Sequence, residues 1–192
     1  MVVTINLRPT LELTDDQFEQ ICHHNRDLKF ERTARGGLVI MSLTGGETGR
    51  RNIKLSARLE NWSDQAQRGV AFDSSTGFRL PNGAIRSPDA AWISQSRWDA
   101  LTPEQRQKWV PLCPDFVVEL KSPSDEIEDL RLKMQEYLEN GCQLGWLIDP
   151  ETQTVEIYRA DQPIDVLNQP TELSATELMP GFVLNLAGVL TV

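Results

Sequence analysis

The sequence predicts a single α/β domain, residues 1–192, built on a mixed β-sheet. Helical periodicity is clearest at Leu55, Leu59, Trp62 and Ala66, which recur on one face. Short apolar runs such as "DFVVEL", "LGWLID" and "TVEIYR" read as strands, and hairpin signals alternate with helices between them. No internal repeat or low-complexity linker divides the chain.

Composition narrows the classes. The 192 residues are 40% hydrophobic and 24% charged, enough for one core without staples. No apolar run reaches the length of a membrane span. The start "MVVTINLRPT" lacks a charged region followed by an apolar stretch, so a soluble, cytoplasmic protein is expected. Cys22, Cys113 and Cys142 are odd in number and widely spaced, as reduced thiols would be. The net charge of −9 argues against a non-specific nucleic-acid coat. Residues 32–97, however, hold ten basic against five acidic side chains, a net of +5 that leaves −14 elsewhere. A polyanion can therefore be met locally, although simple drift of surface charge accounts for the bias as well.

Taken in order, Thr14 with Gln17 forms a capping box opening a helix that buries Phe18 and Ile21. "DLKFERT" and "GLVIMSL" read as strands joined through Gly36-Gly37. "TGGETG" then breaks the chain before a long helix of roughly five turns, on which Arg50, Lys54 and Arg58 form a basic stripe apart from the apolar one. Short β-pieces follow in "VAFDSSTGFRL" and "AIRSPDAAWI", with a Pro81-Asn82-Gly83 turn between them. Thr102, Pro103 and Glu104 start a short surface helix. After "DFVVEL", Asp125 and Glu128 are expected to cap a helix with Ile127, Leu130, Met134, Tyr137 and Leu138 inside, ended by Asn140-Gly141. Asp149-Pro150 joins the next two strands, and the C-terminal tail is expected to add edge strands.

Chemistry concentrates near the end of "PDFVVELKSPSD". Alternation puts Phe116, Val118 and Leu120 on one face and Val117, Glu119 and Lys121 on the other. Ionisable groups at the carboxyl end of a strand sit where α/β sites open. Glu119 suits a hard divalent cation, and Lys121 suits orienting the attacking water and steadying phosphate charge. An ordinary ion pair on a partly exposed strand is the plain alternative. Asp89 follows Pro88 at a strand entrance, where it either caps a turn or shares a Mg²⁺ with Glu119.

Asp89 followed by Glu119-x-Lys121, in an apolar strand leading into a helix, resembles the PD-(D/E)XK nuclease motif. More specifically, "SPDAAWIS", "PDFVVELKSPSD", the tyrosine-to-Asn-Gly helix end, "WLIDP" and "VIMSLTGGETG" resemble the Uma2-type restriction endonuclease family, across residues 10 to 185. The resemblance implies a restriction-endonuclease-like three-layer core, a mixed central sheet flanked by helices. It implies a metal-dependent nuclease site of Asp89, Glu119 and Lys121, with Glu47 as a further carboxylate. A glutamate in a helix's first turn is also ordinary helix chemistry. Lys133 and Tyr137 match the family's helix pattern, in which such a helix points a polar residue back at the site; Lys133 is then a phosphate contact, while Tyr137 reads equally as packed core with its hydroxyl at the edge. Many relatives carry a non-lysine residue after the strand glutamate and histidine where Thr48 stands; this chain keeps Lys121 and lacks that histidine.

Other signals carry little. Cys22, His23 and His24 are adjacent helical residues, which splay by about 100°, and no second cluster supports a metal site. There is no G-x-S-x-G, and "TGGETGRR" lacks the lysine and hydroxyl of a phosphate loop. The five tryptophans are expected in the core or at interfaces. The sequence thus points to a Mg²⁺- or Mn²⁺-dependent endonuclease acting on nucleic acid, chiefly DNA. Arg50, Lys54 and Arg58 would track the backbone, and double-strand cleavage would call for a homodimer. The alternatives are a non-catalytic binding or regulatory module on the same fold, and a hydrolase of a small phosphorylated substrate.

Overall fold

The computed structural model describes residues 2–41 and 43–191. In chain order the first half comprises β1 (Val2–Ile5), α1 (Asp15–His24), β2 (Lys29–Arg32), β3 (Leu38–Met41), α2 (Gly46–Ala66), β4 (Gly69–Asp73), β5 (Phe78–Arg79) and β6 (Ile85–Arg86). The second half comprises β7 (Ala90–Ser94), α3 (Gln95–Asp99), α4 (Pro103–Arg106), β8 (Phe116–Leu120), α5 (Ile127–Glu139), β9 (Leu144–Asp149) and β10 (Thr154–Arg159). Three short strands close the chain, β11 (Asp165–Asn168), β12 (Glu172–Ser174) and β13 (Val183–Asn185).

A six-stranded sheet, ordered β11-β10-β9-β8-β7-β4, forms the middle layer. Only β8 and β9 run parallel, with α5 as their crossover; the other pairs in this sheet are antiparallel, so it is mixed. Both of its faces are covered, which is why all five residues of β8 are buried. Phe116, Val118 and Leu120 pack with Leu55 and Leu59 of α2. Val117 packs with Met134 and Tyr137 of α5 on the other side. The alternation read in "DFVVEL" therefore sorts β8 between two helices, giving three layers. Met134 of α5 lays its methyl over Gly145 of β9, where a Cβ would lie 2.4 Å from Met134 Cε.

A second sheet, ordered β1-β3-β2-β6-β5, stands beside the first and supplies one wall of the site. Its β2–β3 hairpin turns through Gly36 at φ +80°, as the Gly-Gly signal predicts. Thr14 and Thr102 both form the expected capping boxes. The cap expected for α5 differs: Glu126 is the N-cap and makes no side-chain cap bond. Asp125 instead accepts from Ser122 N at 2.8 Å, closing the preceding loop. The tail is also more than an edge. β11 borders the central sheet, whereas β12 and β13 pair with each other and bury Leu173 and Leu184 in the α2-side core. Among the described residues, no helix is long and apolar enough to cross a membrane.

Candidate active site

Cross-strand register creates the centre. Ala90 pairs with Val118 in the β7–β8 ladder, so one further step sets Asp89 opposite Glu119. Asp89 Oδ2 accepts from Leu120 N at 2.8 Å, and Oδ1 accepts from Asn52 Nδ2 of α2 at 3.1 Å. Glu119 is only 4% exposed, and its Oε1 receives the Tyr137 hydroxyl at 2.9 Å and the Lys133 ammonium at 2.8 Å. Lys133 and Tyr137 are one turn apart on α5, so a single helix face delivers both donors.

Lys133 is shared. Its Nζ also lies 2.9 Å from Glu31 Oε1 on β2, a buried carboxylate. Glu31 further accepts from Ser87 N at 2.9 Å and from Arg86 Nη1 at 3.1 Å. Arg86 is held in turn by Glu136 at 2.5 Å. These groups line a cleft of about 900 Å³ between the β2–β3 hairpin and α5. Asp125, Glu126 and Asp129 give it an acidic rim, and Val39, Met41 and Leu43 an apolar one.

Two neighbouring glutamates titrate in opposite directions. Burial pushes Glu119 up to about 7; Lys133 opposes the rise, while the charges of Asp89 and Glu31 add to it. Burial would raise Glu31 too, but Lys133 and Arg86 together outweigh it and hold Glu31 at about 2. Glu31 has Arg86 and Lys29 beside it as well as Lys133, whereas Glu119 faces the charges of Asp89 and Glu31. Burial also raises Asp89, with the Leu120 N–H opposing. Lys133 stays protonated well above its ordinary range, because Glu119 and Glu31 overcome the cost of burying it.

The sequence-predicted residues divide into two groups. Asp89, Glu119 and Lys133 come together in the cleft. Lys121 does not join them: β8 ends at Leu120, and Lys121 Nζ turns to Glu151 at 2.8 Å. Glu47 lies in the first turn of α2, mostly exposed and paired with Arg50 at 3.0 Å, outside the cleft lining. Nor is the basic stripe open along its length. Arg58 donates to the carbonyl oxygens of Asn185 and, at 2.9 Å, Ala187, and Lys54 lies against Gly188. Both hold the C-terminal segment. His23 and His24 are exposed.

Glu31, Asn52 and Arg86 are the site neighbours that sequence reasoning passed over. A signal existed for Glu31. In "KFER" it shares a strand face with Lys29, the same ionisable alternation that singled out Glu119 and Lys121. Asn52 carried none.

The donor set can be tested against a hard divalent cation. Among the described residues no three His, Cys, Asp or Glu side chains converge as a ligand group. Asp89 and Glu119 supply two carboxylates, and Asn52 Oδ1 is shielded from solvent and has no hydrogen-bond partner among the described residues. That oxygen-only set fits Mg²⁺, which takes one or two carboxylates and keeps several waters.

A mixed sheet sandwiched between α2 and α5, with opposed Asp89 and Glu119 and an ammonium on the latter, defines a restriction-endonuclease-like fold. The chain belongs to the Uma2 family, described as "Putative restriction endonuclease", whose sequence profile matches residues 15–187. Among solved structures it is similar to a "putative nuclease belonging to DUF820" from Anabaena variabilis ATCC 29413. The TM-score is 0.69 at 20% identity, covering 84% of this chain and 89% of that one, a likeness of fold. No curated protein sequence matches the chain.

Proposed function

We propose that the protein is a Mg²⁺- or Mn²⁺-dependent nuclease that hydrolyses phosphodiester bonds, with DNA as its polymer. The observation that carries the reading is the opposition of Asp89 and Glu119 across β7 and β8 at the floor of a cleft. Asp89 and Glu119 would hold the cation, Glu119 through Oε2, since Oε1 already takes two donors. A bound divalent cation would supply Lewis-acid stabilisation of phosphate charge and a more acidic water. Lys133, the ammonium on Glu119, steadies negative charge at the cleft floor, and Tyr137 keeps that carboxylate in place. Lys121, whose partner is the largely exposed Glu151, is the alternative ammonium if its side chain swings inward.

Cleavage of supercoiled, linear and branched DNA and of RNA, with Mg²⁺ or Mn²⁺, tests this. Wild type should cut in a metal-dependent manner, and Asp89→Asn and Lys133→Met should lose activity by two or more orders of magnitude. Lys121→Met then separates the two ammonium groups. Equal cleavage by wild type and Asp89→Asn would remove the site assignment. A second reading, a non-catalytic binding module, is favoured by the closed ion network in which Lys133 bridges Glu31 and Glu119. It would be preferred if divalent binding did not depend on Asp89 and Glu119. Two-strand cleavage further calls for a symmetric pair of chains, which sedimentation measures directly.

A further inference from the structure

The Asn52 side chain has two polar ends with different surroundings. Nδ2 donates to Asp89 Oδ1 at 3.1 Å. Oδ1 is shielded from solvent and meets no donor among the described residues. A shielded oxygen of this kind carries a desolvation cost that calls for a partner. Among the described residues, Leu120 N donates to Asp89 Oδ2, Lys133 to Glu31 and Glu119, and Lys29 to Ser87 O, and none of them donates to Asn52 Oδ1. The amide cannot be turned around either, because that would set Oδ1 against the Asp89 carboxylate.

We propose that Asn52 is a positioning residue for the site's divalent cation: its Nδ2–H orients Asp89, and its Oδ1 accepts a hydrogen bond from a cation-bound water. The inference rests on the metal-dependent reading above. An amide suits both tasks, since one side chain carries a donor for the ligand and an acceptor for the water. It also adds no charge to a centre that already holds Asp89, Glu119 and Glu31. Water on a divalent cation is a strengthened donor, which matches an oxygen that meets no donor among the described residues. Partners that orient a metal ligand typically alter affinity by about 10–100-fold when removed.

Mn²⁺ alone serves as the probe, titrated by calorimetry and by electron paramagnetic resonance, with the metal-free melting temperature measured in parallel. Wild type should bind Mn²⁺, Asp89→Asn should not, and Asn52→Leu should bind about 10–100-fold more weakly. Asn52→Gln, which keeps both the amide donor and the amide oxygen, should recover part of that loss. A merely structural role would lower the metal-free melting temperature of Asn52→Leu and leave its Mn²⁺ affinity unchanged. That result, or an Asn52→Gln protein no better than Asn52→Leu, overturns the inference while the metal-dependent reading stands. Absence of Mn²⁺ binding by wild type overturns both. Should Asn52→Leu fail to fold, Asn52→Ala decides against wild type: a tenfold or greater loss of Mn²⁺ affinity supports the inference and near-equal affinity overturns it.

Discussion

Replacing Lys133 with methionine removes the one ammonium that two buried carboxylates share, at 2.8 Å from Glu119 and 2.9 Å from Glu31. Glu31 keeps Arg86 and the Ser87 N–H, whereas among the described residues Glu119 keeps the Tyr137 hydroxyl alone. Breaking a buried ion pair from one side costs about 3–5 kcal/mol. Here Glu119 can escape part of that cost by holding a proton. Its folded value, about 7, already exceeds the ordinary 4.5, so its contribution to stability is greatest below pH 4.5 and declines as pH rises through 7. Without Lys133 that value rises further. Below pH 7 the acid is then neutral in both proteins, and the deficit should be about 3 kcal/mol. Above pH 7 the deficit should widen by about 1.4 kcal/mol per pH unit, one proton's worth. Thermal unfolding between pH 6 and 9 measures this, with an expected loss of about 6–12 °C at the low end, growing upward. A deficit independent of pH, or none at all, would refute the assignment of Lys133 as the counter-charge of Glu119.

Glu31 should behave in the opposite sense. Held at about 2, it contributes stability that is present above pH 4.5 and lost as pH falls through 2, about 3 kcal/mol in full, so Glu31→Gln should flatten acid unfolding over that window. Tyr137→Phe should cost about 1–3 kcal/mol in urea and move Glu119 above its value of about 7, read from carboxyl carbon NMR. Arg58→Ala should release the segment around Asn185 and Ala187, reducing amide protection there by about 1–2 kcal/mol. If Arg58 instead tracks a phosphate backbone, that variant will weaken DNA binding and flatten its salt dependence.

Much of the fold was legible because it rests on local periodicity. The apolar stripe of Leu55 and Leu59, the alternation through β8 and the capping boxes at Thr14 and Thr102 each follow from residues a few positions apart. The Asp89 and Glu119 carboxylates were legible as types at strand ends. Their opposition was not, because it depends on the pairing of Ala90 with Val118. Alternation sets a face but not a partner, and the Lys121 ammonium, one residue past β8, pairs with Glu151 beyond the end of β9.

Local pattern placed the helix that carries Lys133 and Tyr137 and the strand ends at which Asp89 and Glu119 lie, while the layers came from the family resemblance. Tertiary structure alone decided which charges meet. Glu31 and Lys133 are 102 residues apart and touch only because the β2–β3 hairpin lies across α5's face of the cleft. The same long-range packing turns Lys54 and Arg58 toward the C-terminal segment. Burial and charge pairing depend on distance in space, and local pattern fixes distance only within an element.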